Sequence, residues 1–206
     1  MRLASVLIAV GFASAFANAN LTLDFNNITH NSGINVAPQL SVVISDFGDG
    51  LVDFTFRNTA AIGSSITDVY FHDGSLLAIA EIIESDGVAF SDPADPSDLP
   101  GGNTIGFVTT GMFSADADAP HVMENGVNSA FEWLTVRFSL QGTQTFADVL
   151  SEIADGTLRL GMHIQSIDGA GQEDSDGAVN IIPTPGAGFL GVVGLCLVGS
   201  LRRRLS

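Results

Sequence analysis

The chain has 206 residues, 46% of them hydrophobic, and sets 23 acidic residues against seven arginines and no lysine, for a net charge of −16. So one-sided a charge repels nucleic-acid phosphates and anionic lipid head groups, which excludes binding through a phosphate backbone. The one cysteine, Cys196, allows no intramolecular disulfide and leaves the rest of the chain without a thiol for catalysis or metal binding.

In chain order, Arg2 precedes an apolar stretch from Leu3 to Phe16, and Ala17-Asn18-Ala19 has the small-x-small form of a signal-peptidase site. Residues 1–19 are therefore expected to be a signal peptide, with Asn20 as the mature N-terminus. The body, residues 20–182, keeps only Arg57, Arg137 and Arg159 against all 23 acidic residues, which leaves it at −20. That charge keeps an exported protein soluble or draws cations to it. A body of this length can bury roughly 70% of its unfolded surface, enough for one domain.

Period-two alternation predicts strands through most of the body. Leu21, Leu23 and Phe25 alternate with Thr22 and Asp24, and Val52, Phe54 and Phe56 with Asp53, Thr55 and Arg57. Leu134, Val136, Phe138 and Leu140 alternate with Thr135, Arg137 and Ser139, and Leu158, Leu160, Met162 and Ile164 with Arg159, Gly161 and His163. Weaker strands are expected at 40–45, 68–72, 78–83 and 105–110. One-sided strands of this kind belong to antiparallel sheets, so the expected fold is an all-β, jelly-roll-like sandwich. One helix is expected at 146–154, with Thr145 as N-cap, Asp148 completing a capping box and Gly156 just past its end. Its stripe of Phe146, Val149, Leu150 and Ile153 would close an open end of the core.

The turns are rich in Asp, Gly, Pro and Asn, residues that cap their own backbone. Several also offer hard oxygen ligands in pairs: Asp46 with Asp49, Asp116 with Asp118, and Asp174 with Asp176. These are the candidate Ca2+ ligands, although none completes a calcium loop; the Asp174 cluster lacks a third ligand before Gly177 and an acidic closing residue. Catalytic patterns are scarce. The histidines, His30, His72, His121 and His163, show no metal-ligand spacing, and no nucleophile elbow or phosphate loop is present. His72-Asp73-Gly74-Ser75 holds triad residue types but reads better as a hairpin turn. Arg159, His163 and Gln165 share the polar side of one strand and form the candidate ligand face, with Trp133 as a further sugar contact.

The chain closes with Pro183-Thr184-Pro185-Gly186, an uncharged apolar run from Ala187 to Leu201, and Arg202-Arg203-Arg204. Such a segment would hold the chain in a bilayer with the body outside and the arginines in the cytoplasm. The run from Gly186 to Leu201 spans about 24 Å as a helix, short of the roughly 30 Å hydrocarbon core. That length favours a transient anchor over a permanent one.

This three-part tail, residues 183–206, resembles the PEP-CTERM sorting signal of Gram-negative bacteria, with Pro-Thr-Pro-Gly where Pro-Glu-Pro is usual. Pro183, Pro185, Gly186, Arg202, Arg203 and Arg204 carry the resemblance. Parts of the body are similar to a globular region that accompanies such tails: Ile66-Thr67-Asp68-Val69-Tyr70-Phe71-His72-Asp73-Gly74, Leu99-Pro100-Gly101-Gly102-Asn103, Phe113-Ser114-Ala115-Asp116-Ala117-Asp118, Asn125-Gly126-Val127-Asn128, Glu132-Trp133-Leu134, the strand from Leu158 to Gln165, and Val179-Asn180. The resemblance implies processing by signal peptidase and by an exosortase, a membrane cysteine peptidase that cuts near the proline motif. It also implies a place in the cell envelope or outside it, among exopolysaccharide, and it assigns no activity to the body.

Three functions follow as expectations. The first is a non-enzymatic exported surface or matrix protein. The second is a secreted carbohydrate- or Ca2+-binding module. The third is an envelope glycan hydrolase, which would need two placed carboxylates that the sequence does not single out.

Overall fold

The alternation marked along the sequence becomes one continuous antiparallel sheet. The computed structural model describes residues 20–109, 113–169 and 174–182; the segments expected to be a signal peptide and a sorting tail lie outside them. Ten strands run in chain order: β1 Leu21–Asn27, β2 Leu40–Gly48, β3 Leu51–Asn58, β4 Ser65–His72, β5 Leu77–Glu84, β6 Phe90–Ser91, β7 Ser114–Ala117, β8 Leu134–Leu140, β9 Arg159–Gln165 and β10 Asp176–Asn180. Two short helices join them, α1 Val122–Asn125 and α2 Phe146–Asp155. No helix among the described residues is long and apolar enough to cross a membrane.

The spatial order is β5-β8-β3-β2-β1-β10-β9-β4-β7-β6. β1 sits at the centre and changes partner along its length: Leu21 to Asp24 pair with β2, and Phe25 to Asn27 pair with β10. The sheet curls there into a half-barrel, so strands far apart in the order meet across its hollow side. Phe71 of β4 lies edge-on to Phe54 of β3 and to Phe138 of β8, with ring centroids 5.3 and 4.8 Å apart. Phe113, just before β7, completes the cluster, 4.8 Å from Phe138. Edge-to-face contacts of this kind add about 0.5–1.5 kcal/mol each beyond the area they bury. The all-β, antiparallel expectation holds in this form: one curled sheet in place of two visibly separate ones.

Parity predicts most of the core. Val52, Phe54 and Phe56 on β3, Leu134, Val136 and Phe138 on β8, and Leu160, Met162 and Ile164 on β9 are all buried. α2 forms as its caps predict. The Asp148 carboxylate accepts from both the backbone N–H and the hydroxyl of Thr145, each at 2.7 Å, and Gly156 closes the helix with φ +81°. Val149 and Ile153 are fully buried against the main core, with Phe146 packed beside them.

One weak strand does not form over its described residues, 105–109. Where alternation suggested a strand over 105–110, the chain makes a 3-10 turn at Gly102–Ile105, flanked by Gly101 and Gly106 with φ of +78° and +64°. Both glycines take a left-handed conformation that an L side chain would strain. Three short strands, β6, β7 and β10, carry too few apolar alternations to stand out in the sequence.

Candidate functional site

Strand parity sends Arg159, Gly161, His163 and Gln165 to the outer side of β9, opposite the core-facing Leu160, Met162 and Ile164. That outer side does not face open water. Residues 92–109 run across it as a strap, held by polar contacts along its length. The Tyr70 hydroxyl donates to the Pro96 carbonyl at 2.9 Å, and the Ala94 N–H donates to Ser114 Oγ at 3.1 Å. Arg159 donates to the carbonyls of Ile105 and Gly106 at 3.2 and 2.6 Å, with its guanidinium 5.3 Å from the Phe107 ring centre. The Val108 N–H donates to His72 Nδ1 at 2.9 Å. Burial, and then the charge of Arg159, lowers the pKa of His72, which keeps the accepting nitrogen free of a proton.

Beneath the strap lies a second apolar cluster of Tyr70, Ala94, Leu99 and Phe107, with Ile28 and Val179 packed against it. The sheet makes room for it by leaving out side chains. A Cβ on Gly161 would stand 2.7 Å from a Leu99 methyl, and one on Gly177 would stand 2.3 Å from the Pro100 carbonyl oxygen.

The same side of the sheet carries a polar row across neighbouring strands: His163 on β9, Asp68 on β4 and Asp116 on β7, paired in register. His163 Nδ1 and Asp68 Oδ2 are 2.9 Å apart, and both residues are buried. Asp68 also accepts from the Thr67 hydroxyl at 2.7 Å and from the Tyr70 hydroxyl at 3.3 Å. In a nucleophile–base–acid chain the hydroxyl would bond to the imidazole. Here it bonds to the carboxylate, so the group works as a buried clamp joining β4 to β9. Burial, and then the nearby charge of Asp68, raises the pKa of the Tyr70 phenol far above its ordinary value, which fixes it as a donor. Burial also raises the pKa of Asp116; the Asp68 charge adds to this, and a backbone donor at Asp95 works against it.

Of the candidate ligand face, Arg159 therefore binds the strap, His163 is buried against Asp68, and Gln165 stands half-buried at the strand end. Trp133 precedes β8 on the other half of the sheet, where its backbone N–H donates to Ser85 Oγ. The triad residue types at His72 to Ser75 do make a turn: the Asp73 carboxylate accepts from the N–H groups of Leu76 and Leu77.

The candidate Ca2+ ligands are dispersed. Asp46 Oδ1 accepts the Gly48 N–H at 2.9 Å at the exposed end of β2, and Asp49 follows in the turn to β3. Asp118 accepts from the Ser91 hydroxyl, at the far end of the row that holds Asp116. Asp176 is 1% exposed and accepts from Thr29 Oγ1, the Asn31 N–H and Ser32 Oγ at 2.6 to 2.9 Å, which fastens the β1–β2 connection to β10. Asp174 is half-buried in the segment before it. Among the described residues, no three His, Cys, Asp or Glu side chains gather where they could hold a metal ion.

The strap itself forms a feature that alternation could not reveal. Its two arms border an open groove of about 510 Å3, lined by Asp98, Asn103, Gly106 and Val108 over the almost wholly buried Leu99 and Phe107. The sequence signal for it was the glycine pair in Leu99-Pro100-Gly101-Gly102-Asn103, a backbone bent too sharply for a strand. No family model, curated protein or solved structure matches this chain.

Proposed function

We propose that this chain is an exported, non-enzymatic surface or matrix protein: an acidic β domain, residues 20–182, secreted through a signal peptide at 1–19 and sorted by the tail at 183–206. The observation that carries this reading is the three-part tail, with proline motif, short apolar run and Arg202-Arg203-Arg204 in that order. On this reading an exosortase removes the tail, and the body reaches the outer surface or the extracellular matrix.

The geometry of the two ends supports it. β1 and β10 are antiparallel neighbours, and the Ile181 N–H donates to the Asp24 carbonyl at 2.8 Å. The mature N-terminus and the tail thus leave the same end of the sheet. A body tethered there would hold its opposite loops away from the membrane. The ring contacts across the hollow of the sheet support treating the body as a jelly-roll-like sandwich whose two halves share β1.

Mass spectrometry of both ends of the protein recovered from its host tests the reading. An N-terminus at Asn20 and a C-terminus near Pro185 are expected. A surface-located protein that still carries Arg204 overturns the sorting step, and one that keeps Met1 overturns export by signal-peptide cleavage.

A further inference from the structure

We infer that the second arm of the strap, residues 105–109, is an acid-weakened clasp whose latch is the neutral imidazole of His72. The Val108 N–H donates to His72 Nδ1 at 2.9 Å. That nitrogen accepts only while it carries no proton. An imidazolium would set one N–H against another across the same gap, so a protonated His72 and this contact exclude each other. The other side chains of the row answer differently to acid. His163 faces Asp68 within the sheet and His121 faces Glu124 on α1, so a proton on either opposes no strap contact.

The groups around the ring set the direction of the effect. From β9, Arg159 reaches the same arm through the Ile105 and Gly106 carbonyls, and its charge repels an imidazolium. From the turn after β4, Asp73 favours the charged ring, but its carboxylate already accepts from the N–H groups of Leu76 and Leu77. From the arm itself come the Val108 backbone and the Phe107 ring, whose centre is 5.5 Å from that of the imidazole. Burial and Arg159 together outweigh Asp73, so His72 beneath the docked arm holds a proton less tightly than a free imidazole does.

When the arm lifts, the ring returns to water and to its ordinary value of about 6.5. Lifting is therefore coupled to proton uptake. Above that value the docked arm keeps its full stability, and as pH falls below it the open arm gains population. Phe107 is buried in the cluster with Tyr70 and Leu99, and its N–H donates to the Gly102 carbonyl at 2.9 Å. These contacts keep the docked arm in the majority, so acid raises the frequency of opening without unfolding the sheet. Each opening uncovers the apolar cluster over Gly161, and mild acid thereby tunes access to it.

Amide hydrogen exchange, followed by NMR on the full chain in detergent between about pH 8 and about pH 5, tests the clasp once intrinsic exchange rates are divided out. Protection of the Val108 amide is expected to fall by roughly three- to tenfold, the worth of one typical hydrogen bond. Its midpoint should match the titration of the His72 ring protons and lie below about 6.5. The Ala94 N–H, bonded to the Ser114 hydroxyl at the other end of the strap, should keep its protection. In His72→Gln a carboxamide oxygen still accepts from Val108 but takes no proton, and the pH dependence should vanish. The inference is overturned if Val108 protection stays level in the parent, if its midpoint departs from that of His72, if Ala94 loses protection in parallel, or if the pH dependence survives in His72→Gln.

Discussion

Asp68 accepts from the Thr67 hydroxyl, pairs with His163 and shares the one Tyr70 O–H proton with the Pro96 carbonyl, which explains why so polar a row can lie under the strap. A buried carboxylate without such donors would be strongly destabilising. Removing one partner leaves the other buried and unmatched, which typically costs about 1–3 kcal/mol. Asp68→Ala and His163→Ala are each expected to lower the free energy of unfolding in urea by about that amount. The double variant should lose clearly less than the sum of the two. Additive losses would show that the two side chains do not act as a pair. The sequence placed His163 on the outer side of its strand correctly. It could not show the burial, because that depends on a strap more than fifty residues away in the chain.

At the scale of elements, α2 was legible almost to the residue, since caps and a 3.6-residue stripe are local signals. Its weakness is electrostatic. Burial raises the pKa of Glu152, and the charges of Asp73, Asp155 and Asp148 add to the shift. The folded state therefore holds a proton more tightly than the unfolded chain. Between the ordinary glutamate value and the raised one, stability falls as pH rises, and at neutral pH the ionised group is a net burden. Glu152→Gln is expected to raise the thermal midpoint at about pH 7, and the gain should vanish by about pH 4. An equal gain at both pH values would mean that packing, not charge, is responsible.

The strap was not legible, because a segment that packs on the outside of a sheet carries no period of its own. Gly161 shows what seats it. Gly161→Ala would push a Cβ to 2.7 Å from Leu99, and overpacking of this kind costs about 1–3 kcal/mol. Limited proteolysis within 92–109 should quicken in that variant while the hydrogen-exchange protection of β2 and β3 stays at the parent level. Unchanged cleavage would show that the strap does not depend on this contact.

For the molecule as a whole, charge is the dominant property. A body at −20 with a few scattered arginines repels itself, and salt relieves the repulsion as the screening length falls from about 30 Å at 0.01 M to about 8 Å at 0.15 M. Arg137 is an exception to the scatter: it forms a two-pronged pair with Asp53 at 2.6 and 2.9 Å beside Phe47. The thermal midpoint is expected to rise with sodium chloride over that range, and a midpoint that falls would count against self-repulsion. Calcium chloride at equal ionic strength separates screening from a site, since an ion bound only by the folded state must lift the midpoint above the sodium value.

The sequence by itself determined the antiparallel β class, the inward parity of β1, β3, β8 and β9, the capped helix, and the acidic body between two apolar ends. All of these rest on local periods, short motifs or counts of residues. Only the tertiary structure decided that the sheet is continuous through β1, that the outer side of β9 is covered, and that the strap borders a groove between Asp98 and Val108. Those outcomes depend on contacts between segments far apart in the chain, such as Phe54 with Phe71 and Gly161 with Leu99. Close packing between distant side chains leaves no periodic trace in sequence.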